Sequence, residues 1–146
     1  MKTLSTISLL TALLLFMGCD ETKKVIDVAG TVQLSGNYTV TEAGDTAVNS
    51  EDVTFSLAAL DKSISGNTGC NSFFGNYTID LYAISFGDLA VSEKYCDKDI
   101  MNTERRLLNA LNNTGSYALQ DGVLTLYSKT DRSVLLKATK ENNTQN

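Results

Sequence analysis

Ser65-Gly66-Asn67-Thr68-Gly69-Cys70-Asn71-Ser72-Phe73-Phe74-Gly75-Asn76-Tyr77 is the densest local pattern in the chain. Gly66, Gly69 and Gly75 permit backbone conformations or close approaches that a Cβ resists. Phe73 or Phe74, together with Tyr77, supplies large buried area, and the Tyr77 hydroxyl offers a hydrogen bond from within it. Asn71 has a side chain able to satisfy backbone groups in a turn. The stretch therefore reads as a tight turn beside strands, architecture before chemistry. A second reading has Asn67, Asn71 and Asn76 lining a ligand-binding rim.

Working outward, short β-type runs alternate with turn signals on both sides. Thr31-Val32-Gln33-Leu34 and Asn37-Tyr38-Thr39-Val40 bracket Ser35-Gly36. Val53-Thr54-Phe55-Ser56-Leu57 alternates apolar and hydroxyl residues, the period-2 pattern of a half-buried strand, and Ser63-Ile64-Ser65 resumes it after a turn at Asp61-Lys62. Tyr77-Thr78-Ile79, Ile84-Ser85-Phe86 and Leu89-Ala90-Val91 follow. Val123–Tyr127 and Val134–Leu136 flank Thr130-Asp131-Arg132, a hairpin turn, and Asp121-Gly122 supplies another just before. Asp99–Leu111 breaks this rhythm. Ile100, Leu107, Leu108 and Leu111 recur at helical spacing with Met101 beside them, which predicts one amphipathic helix. Asp97 or Asp99 caps its start, Asn113-Thr114-Gly115 stops it, and Glu104, Arg105 and Arg106 fall on its polar side. The fold class expected is mainly β (α+β): a small antiparallel, barrel-like sheet with one amphipathic helix packed on it.

The chain has 146 residues, 42% of them hydrophobic, with a net charge of -5 and no His, Trp or Pro. Such a balance suits one folded domain and a single core. Without histidine there is no Ser-His-Asp triad, Cys-His dyad or imidazole metal site. An acidic chain lacks the basic face that phosphate neutralisation needs, so no nucleic-acid partner is expected. Asp80, Asp88 and Asp99 are carboxylates that no spacing pairs for acid–base work. No enzyme activity, no cofactor and no metal are expected.

Lys2 followed by the apolar run Ile7–Met17 has the form of a secretory signal peptide, too short to span ~30 Å of hydrocarbon. Leu14-Leu15-Phe16-Met17-Gly18-Cys19 resembles a bacterial lipobox, which implies cleavage after Gly18 and lipidation of Cys19. Four segments are expected: a lipoprotein signal peptide over 1–18, a tether over 19–29, a folded domain over 30–139 and a polar tail over 140–146. The implied location is the bacterial cell envelope, lipid-anchored, with the outer membrane favoured over the inner and the choice between them left open. Whether the domain faces the periplasm or the cell surface stays open.

Gly69, Cys70, Asn71, Phe73, Gly75 and Tyr77 resemble the signature of the META domain family, which includes HslJ-like bacterial lipoproteins. A strand pair, a second cysteine at Cys96, a helix bearing Glu104 and two closing strands follow in the family's order. Tyr38 stands where members often carry tryptophan, and Ser92 stands near the place of a family threonine. The resemblance implies a non-enzymatic envelope lipoprotein linked to envelope stress or stress resistance. Other readings are a lipocalin-like module for a small apolar ligand or acyl chain, and a pilot-like assembly factor for an envelope protein. With Cys19 assigned to lipid, Cys70 and Cys96 remain, and an exported chain meets an oxidising compartment where two thiols pair. Closing that loop contributes ~3.5 kcal/mol on the chain-entropy view. Reduced, separately buried thiols are the alternative.

Overall fold

The computed structural model describes residues 30–141. The expected signal peptide, Cys19 with its tether to residue 29, and residues 142–146 of the expected tail lie outside the described residues. Within them the order is β1 (Gly36–Ala43), β2 (Thr46–Ala47), β3 (Val53–Ala58), β4 (Ser63–Thr68), β5 (Ser72–Asp80), β6 (Ala83–Phe86), β7 (Ala90–Val91), α1 (Lys98–Asn113), β8 (Thr114–Gln120), β9 (Val123–Ser128) and β10 (Val134–Lys140).

All strand pairs are antiparallel. The sheet runs β1-β3-β4-β5-β6-β8-β9-β10, and β10 pairs back onto β1, so eight strands close a barrel. β2 adds to β1 and β7 to β5. Closure removes the exposed edges an open sheet would carry. The seam between β6 and β8 is the thinnest, with one registered pair, Ala83 with Ser116, and a bond from the Tyr117 amide to the Tyr82 carbonyl. The chain enters the barrel at one end, here called proximal, where β1 begins and β10 finishes. The β3–β4, β5–β6 and β8–β9 turns share that end, because each joins antiparallel neighbours. The distal end carries the β4–β5 and β9–β10 turns, and α1 packs against β1, β4, β6, β9 and β10.

Alternation fills the lumen. Val53, Phe55 and Leu57 of β3 point inward, as do Phe73, Tyr77 and Ile79 of β5, Leu124 and Leu126 of β9, and Leu136 and Ala138 of β10. Tyr38 faces Phe55 in register, and their rings stack with centroids 5.1 Å apart. Gly66 faces Phe73, and a Cβ there would sit 2.4 Å from the Thr54 carbonyl and 2.6 Å from the Phe73 ring. The glycine is therefore the space the aromatic ring occupies. Asp121 (φ 51°) and Gly122 (φ 78°) form the tight β8–β9 turn on left-handed backbone. Asp61 and Asp131 accept bonds from the backbone and hydroxyl of Ser63 and Ser133, and the hydroxyl bond holds each carboxyl below its ordinary range.

Several expectations are corrected here. Thr31–Leu34 is helical and not a strand: the Ser35 amide bonds the Thr31 carbonyl, and Leu34 turns fully into the core under the Tyr38 hydroxyl (2.7 Å to the Leu34 carbonyl). Four residues are too few for a period of two to be told from a helical turn. Lys140 belongs to β10 and not to the tail, paired with Tyr38 and donating to the Gln33 carbonyl. Thr114–Gln120 is a strand that starts directly where the helix stops. Phe73 is the buried phenylalanine and Phe74 the exposed one. On α1 the fully covered stripe is Glu104, Leu107, Ala110 and Leu111; Ile100, Met101 and Leu108 are half-buried, and Glu104 leaves the polar face assigned to it. Asp97 takes the N-cap position without a side-chain bond, and Thr114 follows at the C-cap.

Leu111→Ala should lower stability by about 3 kcal/mol through the cavity it leaves, whereas Arg105→Ala on the exposed face should change it by less than about 0.5 kcal/mol. Paired urea titrations with an unchanged slope read this directly. Burial, with Tyr77 and Tyr117 adding to it, pushes the Tyr38 hydroxyl up to about 12 from an ordinary 10.0. Between those values the unfolded chain has released a proton that the folded chain keeps, so stability falls as pH rises. That share of the alkaline loss reaches ~2 kcal/mol by pH 12, and Tyr38→Phe should remove it from a stability–pH profile.

Candidate functional site

The motif turn and α1 meet at the distal end around two buried polar side chains. Glu104 is only 8% exposed and Asn71 is buried beside it. Glu104 Oε2 accepts from Thr68 Oγ1 at 2.5 Å and from Asn71 Nδ2 at 2.9 Å. Thr68 has one hydroxyl proton and two acceptors in reach, Glu104 and the Asn71 carbonyl at 3.1 Å. The shorter, charge-assisted contact holds it. The same hydroxyl oxygen accepts from the Asn71 amide at 2.9 Å, which ties the turn's ends together.

Asn71 uses its whole amide. Nδ2 donates to Glu104 and to the Lys94 carbonyl at 3.2 Å, while Oδ1 accepts from Ser92 Oγ at 2.9 Å and the Lys94 amide at 2.7 Å. Two donors and two acceptors exhaust its capacity. Asn71 is thus a buried junction between the turn, the segment after β7 and α1, with nothing left to offer a ligand. Asn67 and Asn76 are exposed; the former caps the Gly69 amide at 2.7 Å. Three asparagines close in sequence do not form one rim. Gly69, with φ 91°, makes the turn's left-handed step, and the half-buried Ile100 packs over it.

Cys70 and Cys96 are joined, with Cα atoms 6.1 Å apart. The bond closes over the same segment that Asn71 holds by hydrogen bonds, so covalent and polar restraints fix one piece of backbone from two sides. Phe73, Gly75 and Tyr77 line up inward along β5, where a Cβ on Gly75 would meet Leu89 at 2.7 Å; the Tyr77 hydroxyl reaches the Ala58 carbonyl at 3.0 Å. Of the other carboxylates considered, Asp80 ends β5 at the proximal end and Asp99 sits in the first turn of α1.

A cleft of about 430 Å³ lies between α1 and the segment after β7, bounded by Val91, Lys94, Tyr95, Met101 and Leu108 over Asn71 and Glu104. An open recess of about 450 Å³ lies on the barrel wall between Tyr82, Tyr117, Tyr127, Ser116 and Arg132. Among the described residues no group of three or more His, Cys, Asp or Glu side chains is placed to hold a metal. Besides the family resemblance, the signal for Glu104 was its spacing: it stands four after Ile100, three before Leu107 and seven before Leu111, inside the apolar stripe.

The META domain profile matches residues 31–141. The chain belongs to the META domain family. Its barrel is similar in fold to a protein from Burkholderia xenovorans solved by NMR, with 24% identity over 79% of this chain and 88% of that one and a TM-score of 0.64. A DUF4847 family protein from Bacteroides vulgatus is similar at 12% identity, covering 81% of this chain and 99% of that one, with a TM-score of 0.56. No curated protein matches the chain. In this META domain Tyr38 is fully buried, and Ser92 supplies the hydroxyl that anchors Asn71.

Glu104→Ala strips Asn71 and Thr68 of their shared acceptor inside the protein. It should cost about 1–3 kcal/mol, and Glu104→Gln less, because one carbonyl oxygen remains. Chemical denaturation of both variants reads the difference. Reducing the Cys70–Cys96 bond should remove up to ~3.5 kcal/mol while leaving far-ultraviolet circular dichroism native.

Proposed function

We propose that this META protein is a lipid-anchored lipoprotein of the bacterial envelope, non-enzymatic, serving a structural or binding role linked to envelope stress. The Cys70–Cys96 bond carries the reading, since a stable disulfide belongs to an oxidising compartment. The lipobox ending at Cys19 supplies the address and the anchor. Two acyl chains or more would hold it stably, as each buried methylene contributes ~0.8 kcal/mol. The outer membrane is the favoured site, with the bilayer as the constant partner and no cofactor involved.

A lumen for an acyl chain, as in lipocalins, is disfavoured by the packing: Tyr38, Tyr77, Phe55 and Phe73 occupy the space such a ligand would take. A partner envelope protein is the better-supported second reading, because Tyr95 is 96% exposed beside the cleft over Asn71 and Glu104.

Cys19→Ala in the full chain should leave an unprocessed precursor that takes up no labelled palmitate. The unaltered chain should be processed, labelled and partitioned into detergent. An unmodified mature Cys19 found by mass spectrometry overturns the reading.

A further inference from the structure

The exposed apolar side chains of the barrel are unevenly placed. Val32 stands on the helical segment that leads into β1, Leu60 on the β3–β4 turn, and Leu81 and Tyr82 on the β5–β6 turn. All four belong to the proximal end. Leu60 is 103% exposed and Tyr82 77%. Tyr95 marks the distal end and Phe74 the barrel wall. Single exposed apolar residues need no explanation, but a set on separate turns of one end does.

The same end receives the chain from Cys19. A Cβ on Gly30 would lie 3.1 Å from the Tyr117 hydroxyl and 3.9 Å from the Leu81 carbonyl, so the chain reaches the domain directly beside Leu81 and Tyr82. Residues 20–29 separate Gly30 from Cys19, and ten residues extend at most ~36 Å. An acyl anchor at Cys19 therefore keeps these turns within one short tether of the lipid surface.

We propose that the proximal end of the barrel rests on the bilayer, with Val32, Leu60 and Tyr82 set into the headgroup region and Leu81 at its margin. This rests on the lipid-anchored reading above. Leucine and valine gain by leaving water, and tyrosine suits the interface because its ring is apolar and its hydroxyl stays wet. Charge narrows the kind of surface. Asp61, Asp80, Asp121 and Glu141 share this end with Lys62 and Lys140, and Arg132 reaches the recess that Tyr82 lines, which leaves a small acidic balance. The surface that fits is zwitterionic, and contact weakens as anionic lipid is added. In this pose α1, the disulfide and the Tyr95 cleft face away from the membrane.

The chain contains no tryptophan, so Tyr82→Trp and Tyr95→Trp each place a single indole at one end, both at exposed positions. The full lipidated variants are reconstituted into phosphatidylcholine vesicles with and without bromine-labelled acyl chains, and acylation of Cys19 is read by mass spectrometry. The Tyr82→Trp indole should be quenched about twofold or more, with a blue-shifted emission, while Tyr95→Trp stays unquenched. Leu60→Asp added to Tyr82→Trp should abolish the quenching, and so should phosphatidylglycerol in quantity. An acylated Tyr82→Trp protein that is unquenched, or quenched no more than Tyr95→Trp, overturns the docking and leaves the anchor intact. An unacylated Cys19 overturns the anchor and the docking that rests on it.

Discussion

The bond pair at Glu104 Oε2 is the contact on which the distal half of the fold depends. A carboxylate this buried is unfavourable unless it is hydrogen-bonded, and its two donors come from a turn that Gly69 bends into place. The helix cannot slide or rotate on the barrel without stranding the carboxylate. An apolar stripe alone tolerates small slips, because burial has no direction. The polar contact supplies register where the hydrophobic contacts of Leu107 and Leu111 supply adhesion.

Asn71 extends that register to the segment after β7. Residues 92–97 have no regular structure between β7 and α1, so their backbone groups need other partners. Asn71 provides two of them at Lys94, and Cys96 follows at once to the disulfide. A long excursion between β6 and β8 is thereby held without a sheet of its own.

Most of the barrel was legible because its strands alternate. β3 sets Val53, Phe55 and Leu57 on one face against Thr54 and Ser56 on the other, and Asp121-Gly122 announces its turn by type. β8 was hidden for the opposite reason: Thr114–Gln120 has a nearly uniform half-buried pattern, and Gly115 lies against the Lys129 backbone where alternation should begin. Thr31–Leu34 misled because local propensity favoured a strand while Leu34 had a core position to fill from a helical turn. At the motif, the aromatic and glycine roles could be read from residue type. The inward turn of Asn71 and Glu104 could not, since a charged residue on an apolar stripe is ordinarily excluded, and only its bonding partner, distant in sequence, reverses that rule.

The closure of the barrel through β1 and β10 has a mechanical side. β1 is the first strand of the barrel, and it is held on both flanks, to β10 from Tyr38 to Ala43 and to β3 from Gly36 to Thr39. A pull between the N-terminal side and anything gripping α1 runs along these strands, so their hydrogen bonds are loaded together in shear and not peeled one at a time. Bonds that share a load must break nearly at once. A domain loaded this way is stiff along the axis from its N-terminal side to the helix, and it yields more readily sideways, at the thin seam between β6 and β8.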